Sequence, residues 1–273
     1  MRAGRITGEV PPALDDDFAD MHEAAGRMQA WLAASLKALS TRRDARRRLF
    51  ADLAHELATP LSTVLAVVDA LPHGPRSPRH LDLLAGEAAR LARLAHDVVD
   101  VARLDDPDLP LALAPVDPAA LARAVVARLP PSTGAATIIV SAPGPVAVLA
   151  DGGRLEQAIL NLLTNARRYT PAGGRILITF EASREEMRLI VDDSGPGVPD
   201  ALLPRLGDRL LRLDPSRSPS TGGHGLGLSI VSLIADKHGG RVEFARSPLG
   251  GLRASLVLRA TPGAPPDARP RSL

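Results

Sequence analysis

A cluster of helix breakers, LPHGPRSP at Leu71–Pro78, separates two long stretches with helical apolar spacing, and this constrains the N-terminal half more than anything else in the chain. Upstream, Phe18, Met21, Ala25, Met28, Leu32 and Leu36 recur every three or four residues, and the pattern runs on through an arginine-rich stretch towards Leu71. Pro60 lies inside it and predicts a kink, because proline removes a backbone donor. Downstream, Leu81, Leu84, Ala88, Leu91, Leu94 or Ala95, Val98 and Val101 share one face. Two such helices about a short turn make an antiparallel hairpin whose stripes exceed what one hairpin can bury. Pairing two hairpins about a two-fold axis gives a four-helix bundle, so the expectation is a homodimer.

After a linker near Asp105 to Pro110 the character changes. The spacing predicts a short strand at Leu111–Ala114, a helix over Pro118–Leu129, and strands at Ala136–Ser141 and Val146–Leu149. An amphipathic helix follows over Asp151–Arg168, then a hairpin of Arg175–Glu181 with Met187–Asp192. Pro199–His224 reads as loop, Gly225–His238 as helix, and Arg241–Arg246 with Arg253–Arg259 as the closing strands. Hydrophobic residues make up 45% of the 273 residues but aromatics only 2%, so the core has to be aliphatic. Basic and acidic residues nearly cancel, 33 against 31, which excludes the concentrated cationic face of a nucleic-acid binder. The absence of cysteine excludes thiol chemistry and fits a cytoplasmic setting. No run reaches the ~20 apolar residues of a membrane span, and no signal peptide is legible. Membrane attachment is expected only through a segment absent from this chain.

Four motifs carry chemistry. His55 is followed by Glu56, and Thr59 lies one turn on. A lone helical histidine is ordinarily a surface residue. An imidazole with a pKa near neutrality is also a nucleophile, and an adjacent carboxylate can hold the ring and accept its proton. Asn161 and Asn165, four apart, face one side of a helix, and amide oxygens are hard ligands suited to Mg²⁺. Asp193 ends a strand and can accept a hydrogen bond from an exocyclic amine, while Gly195 and Gly197 let a ligand approach the backbone. Gly223, Gly225, Leu226 and Gly227 open an apolar helix, where glycine amides and the positive helix end form an anion site. Gly239–Gly240 and Gly250–Gly251 read as structural turns.

In this order the motifs resemble the bacterial two-component sensor histidine kinases, over about Phe18 to Leu258. Leu49, Phe50, His55, Glu56, Leu57, Thr59, Pro60 and Leu61 stand in register with the phosphoacceptor motif, with Ala58 where that family carries a basic residue. The resemblance implies an α+β protein: a helical hairpin forming a dimeric four-helix bundle, then a two-layer α/β sandwich of the histidine kinase/Hsp90 type. The implied domains are a HAMP-like remnant and signalling helix at 1–40, with Asp16 to Leu32 resembling its second helix. The phosphoacceptor hairpin follows at 41–106, the ATP-binding domain at 107–260 and a disordered tail at 261–273.

The implied activity is ATP-dependent phosphorylation of His55, then transfer to an aspartate of a response-regulator receiver domain. Thr59 with His55 can also support dephosphorylation of that regulator. ATP and Mg²⁺ are the implied cofactors. By the resemblance Asn165 holds the metal with Asn161 beside it, Arg168 and Tyr169 contact the nucleotide, and Asp193 reads the adenine amine. The implied place is the cytoplasm, or the cytoplasmic part of an inner-membrane sensor. In the lid stretch LPRLGDRLLRLDPSRS, Gly207 and Leu210 stand where the family has phenylalanines, while Arg209, Arg212 and Asp214 are kept, so that Arg212 can still neutralise phosphate charge. The lost aromatics predict slower autophosphorylation, and they motivate one alternative, a nucleotide-binding interaction module with weakened catalysis. A second alternative, an Hsp90-like ATPase, needs a glutamate base where this chain has Asn161, which accepts a proton poorly.

Overall fold

The computed structural model describes residues 51, 53–54, 56–69, 78–130, 136–142, 144, 147–208 and 225–260. His55, Arg209, Leu210, Arg212, Asp214 and Gly223 lie outside them, as do the segment assigned to a HAMP remnant, the breaker-rich turn and the tail.

Residues 56–69 are helical (α1), the helix continuing past Pro60, which is buried. Ser62 Oγ donates to the Ala58 carbonyl at 2.8 Å and Thr63 Oγ1 to that of Thr59 at 3.2 Å, a back-bonding habit that keeps short polar side chains inside a helix. Pro60 and Val67 are buried, while Leu57, Leu61, Leu65 and Val68 form an exposed stripe. Helix α2 spans Pro78–Leu104. Its buried face carries Arg90, Leu94, Val101 and Leu104. The predicted single stripe therefore divides: Leu84, Leu91, Leu94, Val98 and Val101 turn inward, whereas Leu81, Ala88 and Ala95 stay exposed in the single chain. Seven residues separate each exposed member from the next, the spacing of a bundle seam.

The second half places helices on one face of a sheet. Strand β1 (Leu113–Val116) pairs antiparallel with β3 (Val148–Asp151) as a separate two-stranded ribbon. The main sheet has five strands in the order β2 (Thr137–Ser141), β4 (Arg175–Ala182), β5 (Glu186–Asp193), β7 (Leu252–Arg259), β6 (Arg241–Arg246). β2 runs parallel to β4 and every other pair is antiparallel. The inner face presents Ile176, Ile178, Phe180, Met187, Leu189, Val191, Ala254, Leu256 and Leu258, all buried. On the opposite face Arg188 and Arg241 ion-pair with Glu186 and Glu243, in register with Val257 and, for Glu243, Ser255 of β7.

Helices α3 (Pro118–Arg128), α4 (Gly152–Tyr169) and α5 (Gly227–Lys237) start where the sequence supplies caps or glycine. Asp117 Oδ1 accepts from the amides of Ala119 and Ala120, with Pro118 at the first helical position. Asp151 caps α4 through Arg154 N and also accepts from Ala112 N, both at 3.1 Å. From α4, Leu155, Ala158, Ile159, Leu162, Leu163 and Ala166 go into the core, and from α5 Ile230, Val231, Ile234 and Ala235. His238, at the end of α5, donates from Nδ1 to the Ile234 carbonyl at 2.7 Å and accepts at Nε2 from Asp151 N at 3.0 Å, pinning α5 to the start of α4.

One part of the expected loop is ordered: Asp200–Arg205 forms a 3-10 helix, with Arg246 bridging to Asp200. Helix α2 also packs on this half of the protein. Asp100 accepts from Gln157 Nε2 at 2.6 Å and from Arg154 Nη1 at 3.3 Å, and Lys237 Nζ donates to the Asp106 carbonyl.

Candidate functional site

Strand alternation sends two consecutive carboxylates to opposite faces at the end of β5. Asp192, 1% exposed, meets Arg253 in a two-pronged pair at 2.8 and 2.9 Å on the outer face. Asp193 turns inward and is also buried. Its Oδ1 accepts from Gly195 N at 2.8 Å and Leu252 N at 3.2 Å; neither of these bonds uses Oδ2. Burial raises its carboxyl above the usual range against the pull of those two amides, and Asp192 adds a small push the same way. A carboxylate fixed by one oxygen in a dry wall can accept from a ligand amine with the other.

The glycines explain how close this wall is built. A Cβ on Gly195 would stand 2.8 Å from Asp193 Oδ1 and from the Tyr169 carbonyl. Gly197 has φ +73° and packs against the Gly250 carbonyl. Gly251, assigned by sequence only to a turn, is part of the site: a Cβ there would lie 2.0 Å from Asp193 Oδ1. Its amide donates to the Asp193 carbonyl at 3.1 Å. Sequence reasoning missed both this residue and the Leu252 amide, because neither role leaves a side-chain signal.

Helix α4 forms the second wall. Asn161 and Asn165 are half-buried on one side of it, while Arg168 and Tyr169 are exposed at its end. Asn161 Nδ2 is buried with no hydrogen-bond partner, and a buried amide lacking its bond costs about 1–3 kcal/mol. The third wall is the start of α5. Gly225 has φ +71°, and Leu226 supplies no side-chain cap, so among the described residues no N-cap side chain covers the positive end of α5. Gly227 lies against Asn161, its notional Cβ 3.9 Å from Asn161 Cγ. Segments far apart in sequence thus meet: Gly227 lies against Asn161, and Gly195 lies against the Tyr169 carbonyl and Asp193 Oδ1. The donor set fits a nucleotide with a divalent cation, offering a carboxylate oxygen for an amine, amide oxygens for a hard metal and bare helix amides for phosphate.

On the hairpin, Glu56 is partly buried and accepts from Arg90 Nη2 of α2 at 3.4 Å, and Thr59 is exposed. In the lid region, Leu206 is buried, whereas a Cβ on Gly207 would approach Ser232 Oγ to 2.8 Å.

Residues 45–107 match the family described as His Kinase A (phospho-acceptor) domain, and residues 150–262 that of the histidine kinase-, DNA gyrase B- and HSP90-like ATPases. The chain is 31% identical over 262 residues to the signal transduction histidine-protein kinase BaeS of Escherichia coli (strain K12), covering 94% of this chain and 55% of that one. It is 33% identical over 240 residues to the probable sensor histidine kinase TcrY of Mycobacterium tuberculosis, covering 85% and 50%. The chain thus spans about half the length of the curated relatives it matches. Among solved structures, full-length ShkA in complex with AMPPNP is 31% identical with a TM-score of 0.57, covering 79% of this chain and 46% of that one. The histidine kinase ThkA, crystallised with the response regulator TrrA, shares the fold at a TM-score of 0.64 and 23% identity, covering 81% and 65%.

Proposed function

The chain belongs to the family of two-component sensor histidine kinases, and from that premise we propose that it moves the γ-phosphoryl group of ATP to His55 and onward to an aspartate of a response-regulator receiver domain. The observation that carries this reading is the approach of Gly227 to Asn161, and of Gly195 to Asp193 and the Tyr169 carbonyl, along helix α4, together with the match to a phospho-acceptor domain.

Asp193 accepts the adenine amine through Oδ2, its other oxygen being tied to Gly195 and Leu252. The uncapped start of α5 receives phosphate oxygens, and Gly225 and Gly227 keep that approach free of side chains. Asn165, with Asn161 beside it, offers amide oxygens to Mg²⁺; when bound, this ion neutralises phosphate charge. Arg168, Tyr169 and Arg212 contact the nucleotide. A ring nitrogen of His55 attacks the γ-phosphorus, the bond to the bridging oxygen breaks, and ADP leaves. The imidazole proton passes to the Glu56 carboxylate. Thr59 positions a water when phosphate is removed from the regulator. ShkA's structure with AMPPNP supports an adenine nucleotide as the ligand.

The exposed stripes Leu57, Leu61, Leu65, Val68 on α1 and Leu81, Ala88, Ala95 on α2 support a homodimer, since a second hairpin covers both. We assign residues 1–40 to a HAMP-like remnant, 41–106 to the hairpin, 107–260 to the ATP-binding domain and 261–273 to a tail. No helix among the described residues is long and apolar enough to cross a membrane. We place the catalytic part on the cytoplasmic side, where ATP is. In the test, chain incubated with radiolabelled ATP and Mg²⁺ acquires acid-labile, base-stable phosphate, and His55→Gln abolishes it; equal labelling of both proteins would refute the assignment.

A further inference from the structure

Both ring nitrogens of His238 are committed, and only one tautomer allows it. Nδ1 lies 2.7 Å from the Ile234 carbonyl, which can only accept, so Nδ1 carries the proton. Nε2 lies 3.0 Å from the amide nitrogen of Asp151, which can only donate, so Nε2 is the bare acceptor. The first bond runs one turn back along α5 and locks the ring onto its own helix. The second reaches the residue that caps α4, so the imidazole ties the end of one helix to the beginning of the other.

The nucleotide residues lie at the opposite end of the same pair. Helices α4 and α5 pack directly on each other and run antiparallel, Asp151 meeting His238 at one end and Asn161 meeting Gly227 at the other. Asn161 is ten residues on from Asp151, and Gly227 is eleven residues before His238. At about 1.5 Å per residue the two spans are each about 15–17 Å. A bond that closes one end therefore brings Gly227 level with Asn161, where its notional Cβ lies 3.9 Å from Asn161 Cγ. Between the ends the helices bury Leu155, Ala158 and Ile159 from α4 and Ile230, Val231 and Ile234 from α5. Apolar burial is non-directional and ranks neighbouring axial positions weakly. An N–H···N bond is stricter: a slip by one residue's rise, about 1.5 Å, takes it out of range.

We propose that His238 is a positioning residue for the nucleotide cleft, fixing the axial register of α5 on α4 so that the phosphate-facing start of α5 stands level with Asn161, one turn from Asn165. The inference rests on the nucleotide reading above. It deepens that reading by giving a residue outside the cleft control over whether the metal-facing amides and the phosphate-facing helix can act on one ligand. The adenine end is independent of this register, because Asp193 is held by Gly195 and Leu252, which belong to neither helix.

The test is calorimetric titration of the full chain with adenosine, and separately with ATP in the presence of Mg²⁺, for the unmodified protein, His238→Phe, His238→Gln and Ile178→Val. Phenylalanine keeps a ring and loses both bonds, while the glutamine amide oxygen can accept from Asp151 N. Ile178→Val trims the buried core on β4 and leaves the helix ends alone. His238→Phe is expected to bind ATP with Mg²⁺ about 10–100-fold more weakly, the loss of one hydrogen bond to a charged phosphate oxygen, with adenosine affinity unchanged. His238→Gln should recover most of that loss, and Ile178→Val should melt lower yet keep both affinities. Adenosine and ATP weakened equally by His238→Phe, the same split in Ile178→Val, or a His238→Gln protein as weak as His238→Phe would each overturn the proposal. Should His238→Phe show no cooperative thermal transition, His238→Asn takes its place, since its amide stands where Nδ1 was and stops short of Asp151 N; the same split is expected, and equal losses refute it. If the unmodified chain binds neither ligand, the nucleotide reading fails and this inference with it. If the unmodified chain binds both and His238→Phe keeps both affinities, only the role of His238 fails.

Discussion

Replacing Gly251 with alanine is the sharpest probe of how the nucleotide wall is built. The new methyl would stand 2.0 Å from Asp193 Oδ1, 2.5 Å from Gly195 N and 2.6 Å from the Asp193 carbonyl oxygen. Side-chain carbons essentially never come closer than 3.0 Å, so about 1 Å of separation has to be found between groups that are mostly backbone. A carboxylate moved that far loses its bonds from Gly195 N at 2.8 Å and Leu252 N at 3.2 Å. Two hydrogen bonds to a charged acceptor contribute about 1.5–3 kcal/mol each; where the wall holds instead of yielding, the cost is overpacking of about 1–3 kcal/mol in their place. The expected loss is about 3–6 kcal/mol, a large part of the stability of an ordinary domain.

Urea denaturation reads this as a lower midpoint at unchanged m, and titration with a fluorescent ATP analogue should show binding lost even at temperatures where the variant is folded. Gly250→Ala is the matched control. Its φ of +102° strains any side chain, but nothing lies within 4 Å of the added carbon. It should cost about 1–3 kcal/mol and leave nucleotide affinity intact. A Gly251→Ala protein within 1 kcal/mol of the unmodified chain, or one that binds nucleotide normally, would refute this account of Asp193.

Two smaller outcomes follow from the hairpin. Gly86 lies in the interior of α2 with open space around it, so Gly86→Ala should stabilise by about 0.5–1 kcal/mol in thermal unfolding; a fall in midpoint would contradict it. Asp97 is raised from 3.8 to about 6 by burial first and by Asp100 second, against the pull of Arg93, His96 and Arg168. A carboxyl raised on folding contributes its stability at pH below 3.8 and loses it as pH climbs through about 6. Asp97→Asn should therefore gain on the unmodified chain between pH 4 and 6, levelling at no more than about 3 kcal/mol above that, and a pH-independent difference would show that Asp97 does not titrate in this window.

Elements with two-sided patterns were legible in the sequence. The alternation of Ile176, Ile178 and Phe180 against Met187, Leu189 and Val191 placed the β4–β5 hairpin to within a residue or two at its ends. Asn161, Asn165 and Asp193 could be proposed from the sequence because the chemistry assigned to them resides in their side chains. What escaped notice depends on position in three dimensions. The sequestration of β1 and β3 into their own ribbon is decided by packing around two four-residue strands that carry little pattern of their own. Gly251 looked like any turn glycine, since the oxygen that forbids its Cβ comes from Asp193, far away along the chain. Nothing singled out Arg90 in the sequence. The available signal was its spacing from Glu87 and Leu94, which puts it on the face that turns inward.

Asp100 connects two parts that are usually considered apart. Its two oxygens grip Gln157 and Arg154 on the first turns of α4, and Gln157 sits a single turn before Asn161. Any rotation or axial slip of α2 must either tear this grip or carry the base of α4 along with it. A twist of α2 would therefore reach Asn161 and Asn165 through helices joined by a polar coupling.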